Sequence, residues 1–262
     1  IKYNGGKILV NDIEVNVRYV LKEGEFLTVI FPPENPSEGA AGEKIPLEIL
    51  FEDQYLLVVN KPAGMSTIPS REHPTGSLAN ALVGYYEEIG IRATSHIVTR
   101  LDRDTSGIVL IAKHRHVHHL LSKQQQNGNV KRTYEALAEG NLALEKGSIE
   151  EPIGRKLDSI IEREVRSDGQ YACTHYKVLK RYKEFTHVEL QLKTGRTHQI
   201  RVHMSFIGHP LLGDDLYRGN QTLINRQALH CKKIHFSHPF SGQDMNFTLN
   251  LPEDLYVLIS KG

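Results

Sequence analysis

Apolar residues recur along this chain at two spacings, one suited to strands and one to helices. The run Tyr55 to Val59, YLLVV, is continuously apolar and leads into Asn60-Lys61-Pro62, which predicts a buried strand. Between Gly76 and Gly90, apolar side chains fall at Leu78, Ala81, Leu82, Tyr85, Tyr86 and Ile89, the one-faced spacing of a helix. Ile108 to Ala112 predicts a short strand, and Val117, Leu120 and Leu121 a second helix ending near Gly128. Val130, Arg132, Tyr134, Ala136 and Ala138 alternate along one strand face, as do Val188, Leu190 and Leu192. Ile200, Met204 and Ile207 return to helical spacing before Gly208-His209-Pro210. Strands outnumber helices and several neighbours read as hairpins. The expected class is α+β with a mostly antiparallel sheet.

The first thirty or so residues carry a weaker alternation, with turns at Asn11-Asp12 and Glu23-Gly24, which predicts two or three short strands. A unit this short buries little core alone. The following stretch, rich in Pro, Gly, Ser and acid, has linker composition. The expected organisation is a small module at 1–33, a linker at 34–46 and a main domain at 47–262.

Composition narrows the class without choosing a function. The chain has 262 residues, 39% of them hydrophobic and 24% charged, with a formal net charge of +1. That balance suits a globular protein, and any basic surface must be local. Two cysteines in unrelated contexts, Cys173 and Cys231, fit a reducing compartment. No apolar run reaches membrane-spanning length and no signal-peptide pattern opens the chain, so a cytoplasmic monomer without membrane partners is expected.

Three segments could carry chemistry. In Arg100 to Gly107, RLDRDTSG, Asp102 sits among arginines in a polar loop just before a buried strand. Neighbouring cations favour an ionised carboxylate, the form a nucleophile or general base needs. Structural ion pairs are the commoner use of such a cluster. In Lys131 to Ala136, KRTYEA, the strand period puts Arg132 and Tyr134 on one face, where a cation can hold phosphate while a ring stacks on a base. A tyrosine packed in a sheet is the plain alternative. In Leu192 to His203, LKTGRTHQIRVH, a strand ends near Gly195 and a helix starts near Thr197, placing Arg196 at the turn and Arg201 and His203 on the helix. Histidines crowd 114–119 and 230–238 without HExxH or paired CxxC spacing, so no metal site is expected. There is also no P-loop, no G-x-G-x-x-G after a strand and no GxSxG elbow, which points to a reaction without a cofactor.

Together these segments resemble the RluA/RluD-type RNA pseudouridine synthases. VVNKPAGM at Val58 to Met65, RLDRDTSG, KRTYEA, LKTGRTHQIRVH, HPLLGDDLY at His209 to Tyr217 and HPFSG at His238 to Gly242 occur in the family's order. The resemblance implies Asp102 as the catalytic aspartate, Tyr134 as the tyrosine packed on the reacting base, and Arg196 as the arginine paired with the aspartate. It implies Ile200 as an apolar wall, and Arg100 as the arginine filling the space of a flipped-out nucleotide. Lys131, Arg132 and Arg201 are expected to contact RNA phosphates. Many relatives carry His directly before Arg-Leu-Asp, and Thr99 stands there in this chain. The N-terminal unit resembles the strand part of an S4 RNA-binding module, without the helices that would precede it.

The resemblance implies conversion of uridine to pseudouridine in structured ribosomal or transfer RNA, with no nucleotide cofactor. Two other readings are a non-catalytic RNA-binding protein on the same fold, and a metal-dependent nuclease using Asp102 and Asp104.

Overall fold

The computed structural model describes residues 5–32, 34, 41–70, 73–91 and 93–261. The centre of the expected linker, 35–40, lies outside the described residues. At the N-terminus, β1 (Lys7–Val10), β2 (Ile13–Glu14) and β3 (Leu27–Ile30) form a small antiparallel sheet in the order β2-β1-β3. Asn11 and Asp12 both have positive φ, 48° and 65°, which gives the tight hairpin turn between β1 and β2. Phe31 stacks on His116 of the main domain at 5.2 Å, and Glu34 accepts from the Arg115 amide at 3.0 Å. Past the undescribed stretch, the Glu43 amide donates to Asn80 O at 3.0 Å, so this part of the segment lies along a helix.

The main domain opens with β4 (Glu48–Glu52), β5 (Leu56–Lys61), α1 (Leu78–Glu88), β6 (His96–Ile97), β7 (Ser106–Ala112), α2 (Arg115–Gln126) and β8 (Lys131–Glu139). It continues with β9 (Lys146–Ile149), β10 (Ile153–Arg155), β11 (Arg163–Val165), β12 (Thr174–Arg181), β13 (Phe185–Leu192) and α3 (Gln199–Phe206). It closes with β14 (Leu229–Ser237), β15 (Asp244–Thr248) and α4 (Glu253–Lys261). β10 and β11 pair as a separate hairpin. The others form one large sheet in the order β4-β5-β7-β14-β8-β13-β12-β9, with β6 beside β7 and β15 beside β14. Every pairing in it is antiparallel except β7 with β14, so the fold is α+β with a mostly antiparallel sheet, as the sequence predicts.

That parallel junction is short: only His230↔Ser106 and Cys231↔Gly107 are in register. It joins two halves of the sheet and leaves the loop before β7 beside the strands of the second half. Gly107 is required there, since its φ is +119° and a Cβ would meet Cys231 O at 2.3 Å. β7 is buried throughout, which explains its unbroken apolar sequence after Gly107. Leu78, Leu82 and Tyr86 of α1 join the same core as β5 and β7. The capping box of Ser77 and Asn80 fixes where α1 begins.

A buried charge cluster lies on β8. Burial opposes ionisation of Glu135, but hydrogen bonds from His187 Nε2 at 2.9 Å and Lys232 Nζ at 2.6 Å outweigh it and bring the carboxyl down to about 2. Its folded value is depressed below the ordinary 4.5, so its stabilisation is present above that pH and is lost as pH falls toward 2. Glu135→Gln is therefore expected to flatten the loss of stability between about pH 4.5 and 2 in denaturant titrations. An unchanged acid limb would remove this assignment.

Candidate active site

The loop before β7 is held from three directions. Thr67 Oγ1 donates to Leu101 O at 2.6 Å and accepts from the Leu101 amide at 3.2 Å. Lys61, fully buried, donates to Pro62 O, Met65 O and Arg103 O at 2.9, 2.7 and 3.0 Å. It thus ties the turn after β5 to the Asp102 loop. Burial draws its ammonium down to about 7, against the pull of Asp102 and Asp104. Thr99 Oγ1 accepts from the Leu110 amide at 2.9 Å, so this buried threonine anchors the approach to the loop.

The Asp102 carboxylate emerges half-buried from this scaffold and meets Arg201 on the first turn of α3, with Arg201 Nη1 at 3.2 Å from Asp102 Oδ2. Arg201 is buried and turns its other edge to Asp214, with Nε to Oδ2 and Nη2 to Oδ1 both at 2.8 Å. Burial opposes the guanidinium charge. Hydrogen bonds and Coulombic attraction from Asp214, then from Asp102, outweigh it and raise its pKa. Asp214 is fully buried and also accepts from the Tyr217 amide at 3.2 Å. This two-sided clamp fixes the guanidinium plane, which a single contact could not do.

The clamp corrects two expectations. Arg196 does not pair with Asp102: it is exposed before the helix and donates through Nε to Tyr171 O at 2.9 Å. Arg201 is not a surface phosphate ligand, because Nε, Nη1 and Nη2 are all committed to carboxylates. Arg103, next to Asp102 in the chain, pairs with Asp104 at 3.1 Å.

Asp102, Arg201, Tyr134, Arg132, Arg100, Arg196 and Ile200 all line one cavity of about 510 Å³, within the size range of small-ligand sites. Tyr134 and Ile200 are 4% exposed each and form walls, while Arg100 is exposed at the rim. Burial raises the Tyr134 hydroxyl pKa, so the tyrosine is neutral and its ring is the useful part. The Arg132 guanidinium lies 5.8 Å from the centre of that ring. Lys131 is exposed and does not line this cavity; it lies in an adjoining groove that Arg132 and Arg196 also border.

Sequence reasoning missed His198, Asp214 and Tyr217. His198 precedes α3 with φ 56°, a left-handed backbone unusual for a residue other than glycine. The Tyr217 hydroxyl accepts from the Arg163 amide at 3.0 Å and shares a hydrogen bond with His198 Nδ1 at 2.7 Å. The other ring nitrogen, Nε2, faces Asp102 Oδ1, 3.9 Å away. Burial lowers the His198 pKa, against the pull of Asp102, and favours the neutral ring. Asp214 and Tyr217 lay within a quoted motif, but an irregular segment has no period to show where its side chains point. Thr197, near the expected helix start, does not cap it. Gln199 Oε1 instead accepts from the Arg196 amide at 3.0 Å and from Thr194 Oγ1 at 2.8 Å. Among the described residues, no three His, Cys, Asp or Glu converge as a metal-binding group.

Comparison with known proteins decides the family. The pattern described as RNA pseudouridylate synthase matches residues 55–206, more than half of the chain. The RNA pseudouridine synthase YjbO of Bacillus subtilis is 54% identical over 259 residues, spanning 99% of this chain and 92% of the relative. The chain belongs to the RluA/RluD-type RNA pseudouridylate synthase family. Within that family, ribosomal large subunit pseudouridine synthase D of Pseudomonas aeruginosa is 38% identical over 269 residues, spanning 97% of this chain and 83% of the relative. The solved structure of human RNA pseudouridylate synthase domain containing 4 shares the fold, with a TM-score of 0.66 and 22% identity over 82% of this chain and 92% of that one. Among the described residues, no helix is long and apolar enough to cross a membrane.

Proposed function

We propose that this protein converts uridine to pseudouridine in structured RNA, ribosomal or transfer, with Asp102 as the reacting carboxylate. The observation that carries this reading is the Asp102 carboxylate, clamped by Arg201, inside a cavity walled by Tyr134 and Ile200. The reaction breaks the N1–C1′ bond, turns the base and joins C5 to C1′. The C5 hydrogen is released and N1 gains a proton, so the base is isomerised. Asp102 either attacks C1′ or removes the 2′ proton. Both routes need its charge and its aim, which the Arg201 clamp supplies. Tyr134 holds the uracil plane by stacking.

A uracil in folded RNA must leave its stack to enter the cavity, at a cost on the order of a few kcal/mol. Arg100 at the rim is placed to fill the vacated space, and Lys131 and Arg132 to offset the cost through phosphate contacts. The catalytic domain is 47–262, and the N-terminal sheet is the strand part of an S4-like RNA-binding module. The reading includes a cytoplasmic, monomeric enzyme that needs no cofactor.

The test uses RNA tritiated at uridine C5, extracted from cells lacking this protein. Release of tritium to water, undiminished by a chelator and without chain cleavage, is the expected result. RNA binding without release would instead favour a non-catalytic RNA-binding protein, and chelator-sensitive cleavage a nuclease.

A further inference from the structure

Most polar groups around the reaction cavity already have partners. Thr67 is tied to Leu101, His198 to Tyr217, and Arg201 to Asp102 and Asp214. Gln199 uses both ends of its amide, accepting from the Arg196 amide and Thr194 Oγ1 and donating to Cys173 O and Thr174 Oγ1. Gln125 is the other carboxamide of the lining, and its side chain has no hydrogen-bond partner among the described residues.

The local structure holds this free amide in place. Val117 and Leu121 form the buried stripe of α2, and Gln125 is the next residue on that face, one turn further on. An apolar side chain there would extend the stripe. Instead the stripe ends in a half-buried amide at the cavity. The last turn of α2 is fixed by the preceding residue: Gln124 Nε2 donates to Ser237 O at 2.9 Å, and Gln124 Oε1 accepts from the Ser237 amide at 3.3 Å. Gly128, with φ 75°, then ends the helix, its amide donating to Gln125 O at 3.1 Å. The backbone of Gln125 is anchored while its amide head stays available.

Position separates this residue from the walls of the cavity. Asp102, Tyr134 and Ile200 border the reaction cavity alone. Gln125, Arg132, Leu192, Gly195 and Arg196 also border the adjoining groove, so they form the rim between the two. Arginine only donates, and leucine and glycine have no polar side-chain atom. Gln125 is the one rim side chain that presents a donor and an acceptor together. A base edge is a row of donors and acceptors, which such an amide can discriminate. The nucleotide beside a flipped uridine stays covalently joined to it and loses a stacking neighbour, which opens its edges to side chains.

Building on the proposed function, we infer that Gln125 is a specificity-determining residue that reads the base next to the target uridine. The base it favours is adenine, whose N6 and N7 match a carboxamide in two parallel hydrogen bonds.

The experiment first maps the pseudouridines that the purified protein forms in RNA from cells lacking it. The region around one mapped site is then transcribed in its natural sequence and with each other base at either flanking position. On every transcript kcat/KM is measured for wild type, Gln125→Ala and Gln126→Ala. Gln126 is exposed and does not line the reaction cavity. Alanine suits a helix and removes no bond that the Gln125 side chain makes, so the variant keeps its fold. Effects of a base change on RNA folding are common to all three proteins and cancel in the ratio of wild type to variant. At one flanking position the ratio for Gln125→Ala should be about 5- to 150-fold higher with adenine than with the other bases. For Gln126→Ala it should be flat. A flat ratio for Gln125→Ala, a maximum at another base, or the same profile in Gln126→Ala would overturn the reader. Pseudouridine formation with a flat ratio removes the reader alone, whereas no pseudouridine in the first step removes the enzymatic reading and the reader with it.

Discussion

Asp102→Asn is expected to reduce turnover to below about one ten-thousandth of wild type while RNA affinity stays within a few-fold. The asparagine keeps the size of the side chain and one oxygen for Arg201, but it is neither a nucleophile nor a base. Asp102 is half-buried, and its loop is fixed by Thr67, Lys61 and Leu101 rather than by its own carboxylate. The variant should therefore fold with an unchanged thermal midpoint. Single-turnover rates and equilibrium binding on the same RNA separate the two effects. Turnover within tenfold of wild type would mean that another group does the chemistry.

The second large effect concerns the clamp. Arg201→Lys is expected to lower kcat by about 100- to 1000-fold with little change in KM, because an ammonium is a point charge and cannot hold two carboxylates in one plane. Asp214→Asn attacks the same device from behind. It leaves the Arg201 charge buried and half-paired, at a cost of about 3–5 kcal/mol in stability. For a chain of this length the thermal midpoint should fall by roughly 6–20 °C. The kinetic effect is read on the folded fraction well below that midpoint. Wild-type kcat in folded Arg201→Lys would show that the guanidinium geometry is irrelevant and that only its charge matters.

The parts of the fold that were legible in the sequence are those with an unambiguous period. The apolar run at 55–59 overlaps β5, the alternation at 130–138 overlaps β8, and the one-faced spacings overlap α1, α2 and α3. β14 escaped because its environment does not repeat. β14 meets β7, β8 and β15 along different parts of its length, so buried and exposed positions follow no single alternation. The site was legible as a set of residues but not as a set of bonds. Asp102, Tyr134, Arg196 and Ile200 do line one cavity. Which arginine faces the carboxylate depended on the left-handed turn at His198, which sends Arg196 outward and begins the helix that carries Arg201 inward. It also depended on Asp214, which lies in a segment with no period to read. Local spacing states which residues are near in the chain; the clamp joins residues 99 positions apart.

The most direct measurement is nucleoside composition. RNA from cells lacking this protein is incubated with the purified chain, digested to nucleosides and separated, with wild type and Asp102→Asn run in parallel. For wild type, each uridine lost should reappear as one pseudouridine in RNA of unchanged length, and the variant should yield none. If wild type leaves every uridine intact, or if the variant produces pseudouridine as well, a carboxylate-driven isomerisation in this cavity is wrong.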